Sequence, residues 1–456
     1  MIYEAYGKLH QTAKRLLGRS SSYSAFRMVD VSDYDFPDGK LVGSGEFFNE
    51  VRPGKAITKE EAFPVENIVP TGSFPNLPDS FNIMRKCSEA QLGVDDEDAE
   101  NVWRQFIENS VIPTEYKNAG LHYAGYILDC ESWCLPSWVW TNAAIIRMYC
   151  RIGEIEKAKE LSDNLISKQD KCGGWIVRND YDSKGAVPVL APNDSAYAAN
   201  NGCIEVYLVT GEDKYLDAAV KCGEWIIETA REDGMVHVGY DTRDKQWQTK
   251  HNIVDIGFTA ALFAKLYQVT KEERYKDFLK RFTAKYIELF YIPALKGFAT
   301  SLDANDQQLG GMFGRGHAWA LEGLIPAYEV LKDEKLKTVI DDTIDTLLRL
   351  QDRSGGWAYN LSRPLMGIDC KATPIIALAI ANWRYDEKAK STVNNALRWT
   401  IRHTSPDGNS TGGIFSYTTE GAIVHHMYTW TAFVYSSAYA IELKRKVESL
   451  DLRKQE

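Results

Sequence analysis

The feature that most limits what this chain can fold into is an internal repeat. From about Ser137 onward, pairs of helix-period segments recur at intervals of about 50 to 60 residues. The pairs are 137–150 with 154–168, 194–210 with 213–230, 255–270 with 273–290, 315–331 with 334–350, and 369–383 with 386–403; a last segment, 429–446, follows alone. The first member of each pair is rich in small and apolar residues, as in Ala377-Leu378-Ala379-Ile380-Ala381. The second is amphipathic and charged, as in Asp213-Lys214-Tyr215-Leu216-Asp217-Ala218-Ala219. The apolar members should be buried and the charged ones should face solvent. Alternating inner and outer helices predict an all-α (α/α)6 barrel, a closed ring of six helical hairpins. The sixth pair shows only its inner helix, and a helix through Val102, Trp103, Phe106 and Ile107 can supply the missing outer one. The acidic run Asp95-Asp96-Glu97-Asp98 suits the first turn of that helix, where carboxylates complement the dipole.

Two regions follow from this. Residues 96–456 form the barrel domain. Residues 1–95, with Ser20-Ser21-Ser22, six prolines between 37 and 78 and little helical period after the first twenty residues, read as an irregular N-terminal arm or cap. Within a pair the joints are tight, at Gly153, Gly211 and Lys332-Asp333-Glu334. Between pairs they are longer and carry Gly173-Gly174-Trp175, Gly355-Gly356-Trp357 and Gly412-Gly413, where glycine ends an outer helix in a left-handed cap and the next apolar residue turns onto the core. Functional groups are expected on these longer connections and at the inner-helix starts they lead to.

Composition removes several classes of function. A net charge of −10 argues against nucleic acid, since phosphate binding needs a basic surface. The eight cysteines lie mostly in apolar stretches and show no paired zinc-like spacing, so reduced, buried thiols and no metal or cofactor are expected. The N-terminus lacks a signal-peptide pattern, and no apolar run approaches the roughly 18 residues of a membrane span. A cytoplasmic protein is the expectation.

The stretch Gly310-Gly311-Met312-Phe313-Gly314-Arg315-Gly316-His317-Ala318-Trp319 places a planar cationic fork, an imidazole and a stacking ring at the start of an inner helix. Three other inner helices open with an aspartate, at Asp194, Asp255 and Asp369. Any one of these aspartates can be a simple N-cap. Brought to one rim beside Arg315 and His317, they also supply the parts of general acid/base chemistry.

The succession Asp194, Asp255, Arg315-Gly316-His317-Ala318-Trp319 and Asp369-Cys370-Lys371-Ala372 resembles the unsaturated glucuronyl hydrolases and the related unsaturated rhamnogalacturonyl hydrolases, over roughly residues 137–440. The resemblance implies a six-hairpin barrel acting on an acidic oligosaccharide. Asp255 would then be the acid/base that protonates the ring double bond and activates water, with Asp194 assisting. Arg315 and Trp319 would hold the unsaturated uronate, with Phe313, His317 and Asp369 completing the binding site. Other readings stay open at this point. Gln169-x-x-x-Gly173-x-Trp175 and Gln351-x-x-x-Gly355-x-Trp357 are similar to repeats of terpenoid cyclases, His425-His426 invites comparison with sugar epimerases, and a barrel can bind glycans or support polysaccharide assembly without hydrolysing them.

Overall fold

The computed structural model describes residues 93–452 except 115–118, 128–131, 134–136, 178–188, 243–244, 248–252, 304, 310, 359–360, 363–367, 370, 407–410 and 415–430. It adds a short antiparallel pairing of Ala56–Thr58 with Ser80–Asn82. The expected arm over 1–95 therefore lies almost wholly outside the described residues, as do His251, Cys370, His425 and His426.

The described helices are α1 (Ala99–Asn109), α2 (Val139–Ile152), α3 (Ile155–Ser167), α4, α5 (Asp213–Thr229), α6 (Thr259–Thr270), α7 (Glu273–Phe290), α8 (Gly314–Leu331), α9 (Glu334–Leu350), α10 (Thr373–Trp383), α11 (Glu387–Arg402) and α12 (Val434–Leu452). Helix α4 runs Pro192–Tyr197, widens to a π-helical stretch at Ala198–Ile204, and ends as Glu205–Thr210. Each even-numbered helix packs on the next, and α12 packs on α2, so the inner ring closes. Helices α3, α5, α7, α9 and α11 each back their own inner helix, and α1 backs α12.

Sequence explains which helix goes where. In α10 the run Thr373 to Ala381 is buried throughout, because no side of it is polar. Helix α11 buries one stripe, including Ala389, Val393, Ala396 and Thr400, and starts from Asp386, whose side chain accepts the Ala389 N–H. The outer layer is completed by α1: the buried Trp103 indole donates to Thr404 Oγ1, 301 residues later, at 2.9 Å, and Glu100 pairs with Arg445 at 2.8 Å.

The glutamine-tryptophan motifs are structural. Gln169 Nε2 donates to the carbonyls of Gly173 and Ala218, and Gln351 Nε2 to those of Gly355 and Thr392; each amide thus ties the end of one outer helix to the next outer helix. The Trp175 and Trp357 indoles donate back to Leu165 and Leu347. Helix starts deviate from the expected ones by a few residues. Asp255 sits in a 3₁₀ turn, Val254–Phe258, ahead of α6, and Asp369 precedes α10 by a turn whose successor, Pro374, fits only a first helical turn.

Short antiparallel strands decorate the connections. Gly125–Ile127 lies between Ser132–Trp133 and Thr431–Phe433, Tyr240–Asp241 lies between Val189–Leu190 and Gln246–Trp247, and Ser301–Leu302 pairs with Gln308–Leu309. Cys150, Cys203 and Cys222 are free and buried, as expected. Cys172 is exposed, because it falls in the turn after α3 rather than in an apolar stripe. Among the described residues no helix is long and apolar enough to cross a membrane.

Candidate active site

The inner helices run in the same direction, since starts meet starts and later halves meet later halves. Arg315, Asp369 and Tyr435 are in contact at one end, and Arg147, Glu322 and Glu442 at the other. The first end carries the candidate groups.

Asp255 is held by its neighbours. The Val254 N–H donates to Thr300 O at 3.0 Å, Ile253 bridges to Ser301, and the Val254 carbonyl accepts the Tyr286 hydroxyl at 2.7 Å. Close approach of α8 fixes the turn further. A Cβ on Gly323 would stand 2.0 Å from the Gly257 carbonyl oxygen, and one on Gly257 would stand 2.5 Å from the Tyr286 hydroxyl. Asp255 itself is half-buried, and burial together with its charge holds the Tyr286 phenol well above the usual tyrosine range.

Asp194 is also half-buried, in the first turn of α4, beside Ser195, whose Oγ accepts the Trp175 N–H at 2.9 Å. Neither aspartate stands at a cap position, which Ala191 and Ile253 occupy. Asp369 does serve the backbone, accepting the Ala372 N–H at 3.3 Å.

A belt of rings links these elements. Tyr197 of α4 meets Phe258 edge-on at 5.0 Å, Phe258 meets Trp319 at 6.4 Å, and Trp319 meets Phe313 at 5.6 Å. The Arg315 guanidinium lies over Phe313 and Trp319, 4.9 and 5.3 Å from the ring centres. Trp319 is half-buried, so part of its ring reaches the rim surface, whereas Phe313 is 6% exposed.

Three residues expected to face a ligand lie beneath that surface. Arg315 and Asp369 form an ion pair at 3.1 Å with both side chains 1% exposed, and Arg315 Nη1 also donates to the Tyr435 hydroxyl at 2.8 Å. His317 is fully buried. Its Nε2 accepts the Phe298 N–H at 3.0 Å, its Nδ1 donates to the Phe313 carbonyl at 2.7 Å, and burial lowers its pKa to about 4. Both ring nitrogens are used in joining the 297–298 strand to the loop that carries Phe313, which leaves none for a substrate.

Two aromatic residues escaped sequence reasoning. Tyr435 is buried against Arg315, and the half-buried Trp140 meets it edge-on at 4.7 Å. The available signal was position: both lie at inner-helix starts of the same repeat that singled out Arg315.

Residues 136–429 match the model of Glycosyl Hydrolase Family 88. No curated protein sequence matches the chain. At the level of fold, an unsaturated glucuronyl hydrolase specific for heparin is similar, with 14% identity, 78% of this chain and 99% of that one covered, and a TM-score of 0.59. An unsaturated glucuronyl hydrolase from Bacillus sp. GL1, responsible for degradation of glycosaminoglycan, matches at 13% identity over 77% and 95% with a TM-score of 0.57. A sugar epimerase from a ruminal bacterium matches at 16% identity over 76% and 98% with a TM-score of 0.58. These likenesses are likenesses of the barrel.

Proposed function

Because the chain belongs to Glycosyl Hydrolase Family 88 and is a glycoside hydrolase, we propose that its rim hydrates the double bond of a terminal unsaturated uronic acid on an acidic oligosaccharide. The observation that carries this reading is the pair Asp194 and Asp255: half-buried carboxylates on adjoining elements, neither at a helix-cap position, beside the partly exposed ring of Trp319.

Asp255 donates a proton to one carbon of the ring alkene and then takes a proton from the water that adds to the other carbon, next to the ring oxygen. The net change is addition of one water. The resulting hemiketal opens to a ketone, which leaves the anomeric carbon as a hemiacetal; that hemiacetal collapses to an aldehyde and releases the glycosidic oxygen as the hydroxyl of the shortened oligosaccharide, with no separate attack at that bond. Asp194 assists by holding the water and keeping the Asp255 proton in place. Trp319 offers its face to the sugar ring, and Trp140 extends the aromatic rim. Arg315, Asp369, Phe313 and His317 build the support that fixes Trp319 and the 313–319 loop.

The test follows the ultraviolet absorbance of the ring double bond during incubation with lyase-generated oligosaccharides. Wild type should remove it, Asp255→Asn should lose at least a thousandfold in rate while staying folded, and Asp194→Asn should lose less. If no uronate-bearing substrate loses its absorbance with a folded wild-type protein, hydration is ruled out in favour of action on intact sugars.

A further inference from the structure

Toward the other end of the ring lies a cavity of about 580 Å³, walled by residues of all six inner helices. Arg315 at the rim and Glu322 in this cavity are seven residues apart on α8, a rise of about 10 Å. Tyr197 and Phe258, each three residues beyond a rim aspartate, line the cavity and pack against each other, so this ring pair stands between the two sites.

The cavity has a built polar wall. Arg147 donates from Nε to Glu442 and from Nη1 to Glu322, both at 2.9 Å, and its guanidinium lies over Tyr439 at 4.4 Å. Tyr439 donates to Glu322 at 2.6 Å and meets the Tyr197 hydroxyl at 2.7 Å. Arg147 Nη2, Glu322 Oε2 and Asn200 Oδ1 have no hydrogen-bond partner within the protein and are themselves shielded, so the polar surface of the cavity comes from other atoms of its wall. Arg147 and Asn200 are only 4% and 7% exposed, whereas the side chains of Glu205, Glu322 and Lys265 in the same wall are 14%, 16% and 28% exposed. The mouth is open, because Arg151, Glu329, Asn382 and Arg445 at its edge are all exposed.

We propose that this cavity is a second binding site, for an uncharged, hydroxyl-rich molecule the size of a monosaccharide or cyclic polyol. Its reachable wall mixes donors and acceptors, from Lys265, Glu205 and Glu322, and a hydroxyl pairs with either kind. Charge selects against ions. An anion drawn to Arg147 and Arg151 would meet the carboxylates of Glu322 and Glu442, and a cation drawn to the carboxylates would meet the guanidiniums. The volume suits a small ligand, and Phe258, Leu321 and Ile325 supply apolar surface for the carbon face of a ring. This site does not depend on the reaction proposed for the rim.

The experiment titrates the full chain calorimetrically with D-glucose and myo-inositol as neutral probes, and with D-glucuronate and D-glucosamine as charged ones. A neutral probe should saturate one site per chain. That binding should survive Trp319→Ala at the rim and disappear in Ala379→Phe, which fills the cavity from α10, and neither charged probe should lose affinity on that substitution by more than the neutral one does. If Ala379→Phe fails to fold, Asn200→Ala takes its place and should weaken the neutral probe three- to tenfold. The proposal is overturned if no neutral probe saturates, if the binding persists in Ala379→Phe or is unchanged in Asn200→Ala, if Trp319→Ala abolishes it, or if a charged probe is the one that depends on the cavity.

Discussion

His122, His317 and His403 show how single side chains set the acid limit of this molecule. Burial lowers all three to about 4, against a backbone hydrogen bond that pulls each the other way. Folded, they stay neutral, while the unfolded chain takes up a proton at each below about pH 6.5. Their contribution to stability is therefore complete above pH 6.5 and is lost as pH falls toward 4, by about 2 kcal/mol per histidine at pH 5. Urea titrations at pH 7 and pH 5 should show the midpoint falling, and His317→Gln should remove its share of that fall; an unchanged slope in the variant would mean that His317 is not held neutral. The Arg315–Asp369 pair makes a second expectation. Arg315→Met strands a buried carboxylate and should cost about 3–5 kcal/mol, most of which Arg315→Met with Asp369→Asn should restore. A double-mutant cycle on unfolding free energies reads this directly, and additive losses would show that the two charges do not depend on each other.

At the scale of elements, the joints between paired helices present a natural comparison. Gly153 and Gly211 close α2 and α4 with φ of 83° and 72°, and the equivalent joints after α6 and α8 are Lys271 and Lys332, at 63° and 53°. A lysine pays about 1–2 kcal/mol for that left-handed backbone, offset in part by its smaller loss of freedom on folding. Lys271→Gly and Lys332→Gly should each stabilise by about 0.5–1 kcal/mol, seen as a higher thermal midpoint; a lower midpoint would mean that the lysine side chains hold the joints. Gly323 is the opposite case. Its hydrogen faces the Gly257 carbonyl where a Cβ would stand at 2.0 Å, so Gly323→Ala must push α8 off the turn that carries Asp255. A loss of about 2 kcal/mol or more is expected together with a fall in kcat, because the carboxylate we propose as the acid/base moves with that turn. The glycine spacing was visible in the sequence. Its meaning was not, since only the packed fold shows which backbone Gly323 touches.

For the whole molecule, the inner and outer order of the helices was legible because apolar and amphipathic segments alternate over five pairs and a lone sixth inner segment, and Trp103 was legible as part of the outer helix that this last one lacks. What could not be read was depth: Arg315, His317 and Trp319 share one motif, yet only Trp319 reaches the rim surface, because helix rotation decides burial residue by residue. Ring closure is the property with the widest consequence. Helix α1 backs α12, and through Trp103 it meets Thr404 just beyond α11, so the first and last described helices of the barrel are packed together. An open array of hairpins can unfold from either end, whereas a closed ring has no free end and its hairpins support one another in a circle. Trp103→Ala removes the fully buried indole and should lower stability by about 3–5 kcal/mol. The sharper expectation concerns cooperativity. With the ring weakened at one seam, α1 and α12 should open before the rest, so unfolding followed by hydrogen exchange at the α12 amides should precede exchange in α6 and α8, while wild type exchanges all three together. If α6, α8 and α12 remain synchronous in Trp103→Ala, the barrel is held by its inner ring alone and α1 is only a cover.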